Sequence, residues 1–212
     1  MSIRHTATRR PSCPQCHLPL ARCLCALAQP VASPLELVVL QHPQEQGRAK
    51  GSVGLLQACV PDCQVWVAED FAQHPQLQAL LADPGRQCWL AYPGGSAVTA
   101  PQAHAQWRPG TRPTLLLLDA TWRKSYRLLH SAPALLALPR LSLDPLPAGR
   151  YLIRKSSVPG GLSTFEAAAH LLDQWQPDAA RLGRLLTSFD AWVARAQAYQ
   201  PAAHRRQPRE PG

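Results

Sequence analysis

Short apolar runs alternate with longer amphipathic segments along most of the chain. The first run, LELVVL, begins at Leu35, and similar runs occupy residues 64–68, 87–92, 114–118 and 139–143. Such runs are typical of strands that are buried on both faces of a sheet. Helical patterns separate them, among them a segment near residues 52–58 and the stretches HPQLQALLAD and TWRKSYRLLHS. This alternation predicts the α/β fold class, with a mostly parallel sheet flanked by helices.

The last third of the chain is predicted to be helical. Ser163 and Glu166 have the spacing of a capping box, so one helix should begin there and run to about Trp175. A second helix should follow with Pro177 in its first turn, where proline is favoured. The apolar residues of this second helix share one face, and they are Leu182, Leu185, Leu186, Phe189 and Val193.

A cluster of cysteines near the N-terminus has the spacing Cys13-x2-Cys16-x6-Cys23-x-Cys25. Two close pairs separated by a turn can direct four thiolates at one point, which favours tetrahedral zinc. An iron–sulfur cluster or a set of reduced thiols are the alternatives, and His17 could replace one sulfur. A zinc ion with four protein ligands would be structural, because no coordination position is left open for water.

These patterns divide the chain into four predicted regions. Residues 1–10 and residues 201–212 are basic and polar, and we expect both to be disordered. Residues 11–32 form a cysteine-rich zinc knuckle, which is too short to fold by apolar burial alone. Residues 33–200 form the main α/β domain. Within it, residues 144–162 lack periodicity, and a loop of that length in a compact domain is usually functional or mobile.

The composition narrows the classes of partner. A formal net charge of +9 favours a polyanion. No apolar run approaches the roughly 18 to 20 residues that span a bilayer, and no signal-peptide segment follows the basic N-terminus. We therefore expect a cytoplasmic protein without a membrane partner. Cysteines in that compartment rarely form disulfides, so Cys59, Cys63 and Cys88 are predicted to be small buried side chains.

One apolar run ends on an acid. In PTLLLLDATWRKSYRLL, Asp119 stands at the carboxyl end of a predicted strand, and ligands bind at such ends in open parallel sheets. The alternative is that Asp119 only caps the following helix, with Trp122 in the core and the nearby cations on a solvated face. Those cations are Arg123, Lys124 and Arg127. Periodicity alone favours the capping role.

Five ordered segments of the chain resemble the DTW-domain family of tRNA-uridine aminocarboxypropyltransferases. DATW resembles the Asp-x-Thr-Trp signature within a longer block, LLLLDATWRKSYRLLHSAPALLALPRLSL. The others are CPQCHLPLARCLC, HPQEQGR, YPGG and YLIRKSSVPGGLSTFEAAAHLL. The chain departs from the family at Gly51-Ser52, where many members carry Asn-Thr. A side-chain role at position 51 is therefore not expected to carry over.

The resemblance implies an enzyme with a fold related to the knotted SPOUT methyltransferases. Its substrates would be S-adenosyl-L-methionine and tRNA. The 3-amino-3-carboxypropyl group would pass to N3 of a uridine, which in bacterial members is usually in the variable loop, and methylthioadenosine would be released. Asp119 would take the N3 proton if burial raises its pKa, and would otherwise position the uridine or the sulfonium.

The resemblance and the chemistry of the reaction together suggest site residues, with helix capping, an ordinary turn and solvated charges as the respective alternatives. The catalytic set is Asp119, Thr121 and Trp122. The donor-binding set is Pro93, Gly94, Gly95, Leu118, Leu143, Tyr151, Leu162, Ser163, Thr164 and Glu166. Among these, the backbone N–H groups that start the Ser163 helix could hold the methionine carboxylate. Trp122 or Tyr151 could stack on the target base. The RNA-binding set is Arg48, Arg123, Lys124, Arg154 and Lys155.

Two other functions remain open at this stage. An RNA methyltransferase would use the same donor but release S-adenosylhomocysteine. A zinc-containing RNA-binding protein without catalytic activity would leave tRNA modification unaffected when Asp119 is replaced. The sequence does not identify the modified uridine, protein partners or the oligomeric state.

Overall fold

The computed structural model describes residues 11, 13–14, 18–48, 50–94, 96–151 and 161–198. Within these ranges six strands form one sheet in the order β2-β1-β5-β3-β6-β4. All neighbouring strands run parallel. The strands are β1 (Glu36–Gln41), β2 (Gln64–Val67), β3 (Arg86–Ala91), β4 (Val98–Thr99), β5 (Arg112–Asp119) and β6 (Arg140–Ser142). The predicted parallel α/β sheet is therefore confirmed. The predicted SPOUT-like knot is not tested by the described residues.

Helices cover both faces of the sheet. They are α1 (Val53–Cys59), α2 (Pro75–Ala82), α3 (Ala100–Ala105), α4 (Trp122–Ser131), α5 (Pro133–Leu136), α6 (Thr164–Trp175) and α7 (Ala179–Ala198). Leu115 and Leu117 of β5 pack into a core that includes α6 and α7, whereas Leu116 packs into a second core that includes α4. Because successive side chains of a strand point to opposite faces, the uninterrupted leucine run fills both cores.

Two features differ from the prediction. Helix α7 begins after Pro177, since the Asp178 carboxylate accepts a hydrogen bond from the Arg181 N–H at 3.0 Å and so caps the helix. Strand β4 and helices α3 and α5 were not predicted. Strand β4 has only two residues, and the capping box of Thr99 and Gln102 starts α3 immediately after it. No helix in the described part of the chain is long and apolar enough to cross a membrane.

The cysteines of the main domain are largely inert. Cys59 and Cys63 are buried, as predicted, and Cys88 is half-buried against the second core. Burial raises the pKa of the Cys63 thiol to about 12 and that of the Cys88 thiol to about 11. Both thiols therefore remain protonated at neutral pH and serve as small apolar side chains.

The cysteine-rich segment packs directly on the main domain. Leu24 is buried in the core that includes α6 and α7. The Gln29 N–H donates to the Ser188 hydroxyl on α7 at 3.0 Å, and the Val31 N–H donates to the Cys59 carbonyl on α1 at 2.8 Å. The Arg195 guanidinium on α7 donates to the Cys23 carbonyl. The fold of this segment thus contributes to the packing of α1 and α7.

Candidate functional site

A cleft of about 370 Å³ lies at the carboxyl ends of β3, β5 and β6. Parallel strands direct their following loops to the same edge of the sheet, which is why those loops can enclose one ligand. The lining is mainly apolar, with hydroxyl groups at a few positions. It consists of Ala91, Tyr92, Pro93, Leu117, Leu118, Ala120, Trp122, Ser125, Leu141, Ser142, Leu143, Leu146, Gly161, Leu162, Ser163, Thr164, Ala167 and Leu171.

Many of the sequence-predicted donor and catalytic residues meet in this cleft. They are Pro93, Leu118, Trp122, Leu143, Leu162, Ser163 and Thr164. Thr121 is half-buried at the N-cap of α4. Gly94 is exposed with φ of 92°, a left-handed conformation that glycine adopts without strain. Gly95 lies outside the described residues.

Asp119 lies one hydrogen bond behind the cleft wall. Its side chain is 9% exposed, and each carboxylate oxygen accepts a hydrogen bond. Gln41 Nε2 donates to Oδ2 at 2.8 Å, and the Thr164 hydroxyl donates to Oδ1 at 2.6 Å. Gln41 and Asp119 are register partners at the ends of β1 and β5, so the sheet itself places these two side chains together.

This arrangement excludes one of the two roles weighed for Asp119. Its carboxylate contacts β1 and the first residue of α6, whereas the N-cap of α4 is Thr121, which forms no side-chain capping bond. The helix-capping interpretation of Asp119 is therefore wrong. Trp122 is 37% exposed and lines the cleft, so it is not a core residue either.

Glu166 lies behind the cleft wall and holds the cleft-lining Ser163 in place. It is fully buried, and its carboxylate accepts from the Ser163 N–H at 2.9 Å and the Ser163 hydroxyl at 2.7 Å. It also accepts from the Arg150 N–H, which ties the segment after β6 to the start of α6. The capping box predicted from Ser163 and Glu166 is confirmed. Both residues thus position the cleft wall that contains Ser163 and Thr164.

The backbone N–H groups at the start of α6 are mostly occupied by protein acceptors. The Ser163 N–H donates to Glu166, the Phe165 N–H to the Ser52 hydroxyl at 3.3 Å, and the Glu166 N–H to the Ser163 hydroxyl at 3.2 Å. A carboxylate held by these amides would have to replace such partners. The donor-binding role of this helix start stays a prediction. The Ser163 and Thr164 hydroxyls also have protein partners, Glu166 and Asp119.

Ser52 has a structural role at the point where this chain carries Gly51-Ser52 in place of the family's Asn-Thr. The buried Ser52 hydroxyl accepts from α6, so this position links the start of α1 to the start of α6. A Cβ atom at Gly51 would lie 3.3 Å from the Arg48 carbonyl oxygen, which is a tight contact. The contact between the two helices here depends on the hydroxyl at position 52, and position 51 contributes only backbone.

An aromatic pair stands at one side of the cleft. The rings of Tyr92 and Trp122 meet edge to face with centroids 6.4 Å apart, and the Arg140 guanidinium lies 5.5 Å from the centre of the Tyr92 ring. Burial raises the pKa of the Tyr92 phenol, so it is neutral at physiological pH. Tyr151 lies elsewhere: its ring stacks on Trp192 at 5.8 Å, and its hydroxyl donates to the Lys50 carbonyl.

Two of the predicted RNA-binding cations are brought together by Gln44. The Arg48 Nε donates to the Gln44 carbonyl, and the Lys124 Nζ donates to the Gln44 side-chain oxygen. The loop after β1 and helix α4 therefore form one positively charged edge of the sheet. Arg123 is exposed on the same helix. Arg154 and Lys155 lie outside the described residues.

Three of the four predicted metal ligands converge. The Sγ atoms of Cys13, Cys23 and Cys25 all lie within 4.8 Å of one another, and those of Cys13 and Cys25 are 3.8 Å apart. Tetrahedral ligation with Zn–S bonds of about 2.3 Å places sulfur atoms about 3.8 Å apart, so the set fits a thiolate-bound metal. Cys16 and His17 lie outside the described residues.

Sequence reasoning missed Gln41, Ser52, Tyr92 and Ser142. Gln41 carries the same signal that identified Asp119, because it is a polar residue directly after an apolar run, LELVVL. Tyr92 and Ser142 likewise follow or end the runs that became β3 and β6. If every polar residue at the carboxyl end of a predicted strand had been taken as a candidate, three of these four residues would have been found. Ser52 has no comparable signal, since its partner on α6 is distant in sequence.

The chain resembles known proteins over most of its length. The DTW domain family model matches residues 10–197. A Drosophila melanogaster protein named tRNA-uridine aminocarboxypropyltransferase 2 is 33% identical over 171 residues, which is 77% of this chain and 66% of the relative. Proteins of the same name from Mus musculus and Macaca fascicularis are 29% and 28% identical, covering 80% and 77% of this chain and 57% and 56% of the relatives.

The chain thus spans between 56% and 66% of the length of these curated relatives. No solved structure matches it. The Asp-x-Thr-Trp signature falls at the end of β5 and the start of α4, where Asp119 meets Gln41 and Thr164 beside the cleft. Because the family model extends over residues 10–197, which include every element of this site, the chain belongs to the DTW domain family.

Proposed function

We propose that the chain transfers the 3-amino-3-carboxypropyl group of S-adenosyl-L-methionine to N3 of a uridine in tRNA. The names of the relatives supply the reaction and the substrate class. The observation that carries the proposal is the position of Asp119, which lies directly behind a ligand-sized cleft and is hydrogen-bonded to Gln41 and to the cleft-lining Thr164.

The cleft suits a nucleoside with an amino-acid tail. Its volume of about 370 Å³ falls in the range of about 300–1,000 Å³ that is typical of small-molecule sites. Leucine side chains from β5, β6 and the 161–164 segment provide apolar walls for an adenosine. The hydroxyls of Ser142, Ser163 and Thr164 provide hydrogen-bond partners for the polar tail.

The reaction forms a bond between uridine N3 and the γ carbon of the donor and breaks the bond from that carbon to sulfur. The electron pair of the broken bond stays on sulfur, methylthioadenosine leaves, and the N3 proton passes to a base or to water. The donor brings its own positive sulfonium, so the protein must supply orientation and a partner for the proton. Selection of the γ carbon over the methyl requires the nucleophile, carbon and sulfur to be aligned.

Asp119 is the residue that would accept the N3 proton of the uridine or stabilise the positive charge of the donor sulfonium. A carboxylate beside the cleft stabilises a sulfonium electrostatically, and it can also accept the N3 proton. Thr164 joins the carboxylate to the cleft, since its hydroxyl donates to Asp119 and its side chain lines the cavity. Trp122 offers a ring at the cleft edge on which the target uridine can stack.

The cysteine cluster is proposed to hold a structural zinc ion. Cys13, Cys23 and Cys25 supply three convergent sulfurs, and Cys16 is the proposed fourth ligand. Zinc would fix the segment whose Leu24 packs in the core. None of the described cysteines of the cluster, Cys13, Cys23 and Cys25, lines the cleft, so we assign the metal no role in the reaction.

The identity of the nucleoside by-product tests the proposed function. Purified protein, S-adenosyl-L-methionine and unmodified tRNA should yield methylthioadenosine in amounts equal to the modified uridine, both quantified by mass spectrometry. Release of S-adenosylhomocysteine would indicate a methyltransferase. If neither nucleoside forms while tRNA still binds, the chain is an RNA-binding protein and the proposal fails.

Gln41 provides a more specific prediction. Gln41→Met keeps the side-chain volume but removes the hydrogen bond to Asp119 Oδ2, so the carboxylate loses one of the two bonds that orient it. We expect kcat to fall about tenfold, since a hydrogen bond to a charged group contributes about 1.5 kcal/mol or more and 1.4 kcal/mol corresponds to a factor of ten. Donor affinity should change little. A kcat equal to that of the parent in steady-state assays would show that Gln41 does not position Asp119.

A further inference from the structure

Helix α4 carries aromatic rings on its solvent-facing side. Trp122, Tyr126 and His130 are spaced four residues apart and are all exposed, with Tyr126 exposed to 56%. The buried side of the same helix consists of Ser125, Leu128 and Leu129. A solvent-facing helix surface is normally polar, so three exposed rings in one row indicate a surface that contacts something.

The row of rings is continuous with the cleft. The Tyr126 and His130 ring centroids are 4.0 Å apart, and Trp122 both lines the cleft and meets the Tyr92 ring. The Arg140 guanidinium lies 5.5 Å from the centre of the Tyr92 ring on the same side of the cleft. We call this surface the α4 track, defined by Tyr92, Trp122, Tyr126 and His130 together with Arg123 and Arg127.

The charged side chains of the α4 track are all positive. Arg123 and Arg127 are exposed and follow the ring residues at the same four-residue spacing. Helix α4 contains no acidic residue, and neither arginine forms an ion pair with any described residue. Unlike the lysine next to them, which donates to Gln44, these two guanidinium groups are available to an anionic partner.

From this we propose, resting on the proposed function, that the α4 track binds unpaired nucleotides of the RNA next to the target uridine. Bases that are splayed out of a fold are recognised by stacking on aromatic rings, while arginines contact the phosphates between them. A protein partner could also use tyrosine, tryptophan and arginine. The one-sided charge, the net charge of +9 and the continuity with the cleft that must receive a base favour RNA.

Tyr126→Ala tests this surface by removing one stacking platform. Loss of base stacking should weaken tRNA binding about five- to a hundredfold, measured by fluorescence anisotropy without S-adenosyl-L-methionine. In transfer assays KM for tRNA should rise by a similar factor, with kcat at saturating tRNA unchanged. Tyr126→Phe should bind like the parent, because it retains the ring. Since Tyr126 is largely exposed, thermal melting should confirm that the alanine variant folds.

Arg127→Gln tests the phosphate contact. It should weaken tRNA binding and reduce the slope of log affinity against log salt concentration by about one. Leu20→Ala and Arg184→Gln are matched controls outside the α4 track: Leu20 is 54% exposed, close to Tyr126, and Arg184 is an exposed arginine on α7. Both should bind tRNA like the parent.

Unchanged tRNA affinity in both Tyr126→Ala and Arg127→Gln would overturn the inference, provided that the parent catalyses transfer. A variant that binds tRNA normally but loses self-association in size-exclusion chromatography would also overturn it, by showing that the surface contacts a second copy of the chain. A parent protein that binds tRNA through this surface without producing methylthioadenosine would instead contradict only the proposed function. The two hypotheses therefore fail in different assays.

Discussion

Asp119→Asn is expected to lower the rate of aminocarboxypropyl transfer by about 10²- to 10³-fold while leaving the fold intact. The substitution removes the negative charge but preserves the shape of the side chain. The asparagine carbonyl can still accept from Gln41, and the Thr164 hydroxyl can rotate to accept from the new amide group, so the hydrogen-bond network need not break. Single-turnover assays with saturating donor and tRNA measure the effect on the chemical step directly.

The pH dependence of this variant distinguishes the two roles of the carboxylate. If Asp119 accepts the N3 proton, raising the pH should partly restore the rate of Asp119→Asn, because the uridine then ionises without help. If Asp119 only orients the substrates or stabilises the sulfonium, the deficit should be the same at every pH. A variant as active as the parent across the pH range would contradict both roles.

Loss of the cysteine cluster is expected to have the second largest effect. Cys25→Ser should abolish stoichiometric zinc binding and lower the free energy of unfolding by about 2–5 kcal/mol, the amount associated with losing a buried leucine. The reason is that Leu24 lies in the core between Cys23 and Cys25, two of the proposed ligands. Elemental analysis measures the metal, and denaturant unfolding measures the stability.

Cys88→Ala is the matched control for this experiment. Cys88 is half-buried in the main domain and is not part of the sulfur cluster, so its variant should retain one equivalent of zinc. The folded fraction of Cys25→Ser should still catalyse transfer, because the described cysteines of the cluster do not line the cleft. Parent protein that purifies without metal, and is not stabilised when zinc is added, would contradict the proposed zinc site.

The elements that sequence predicted best are those with strong local signals. The apolar runs became β1, β2, β3, β5 and β6, since leucine and valine runs flanked by helical patterns have few other buried arrangements. The capping box of Ser163 and Glu166 was also predictable, because both residues and their bonds lie within one helical turn. The exposure of Trp122 and the occupied amides of α6 depend on distant packing, which local patterns do not encode.

The partners of Asp119 show where sequence reasoning ends. Gln41 is 78 residues away from Asp119, and the two meet only because β1 and β5 pair in one particular register. A shift of one residue would turn one of these side chains to the other face of the sheet. The position of Pro177 outside α7 has a simpler cause, since Asp178 competes successfully for the N-cap. The cytoplasmic location and the knot stay predictions.

The most direct test of the account is mass spectrometry of tRNA from a strain that lacks this gene, complemented with either the parent or Asp119→Asn at equal protein abundance. The account predicts that one aminocarboxypropyl-uridine is missing from the deletion strain, returns with the parent, and stays missing with Asp119→Asn. Full restoration of the modified uridine by Asp119→Asn would contradict the central role of the carboxylate held between Gln41 and Thr164.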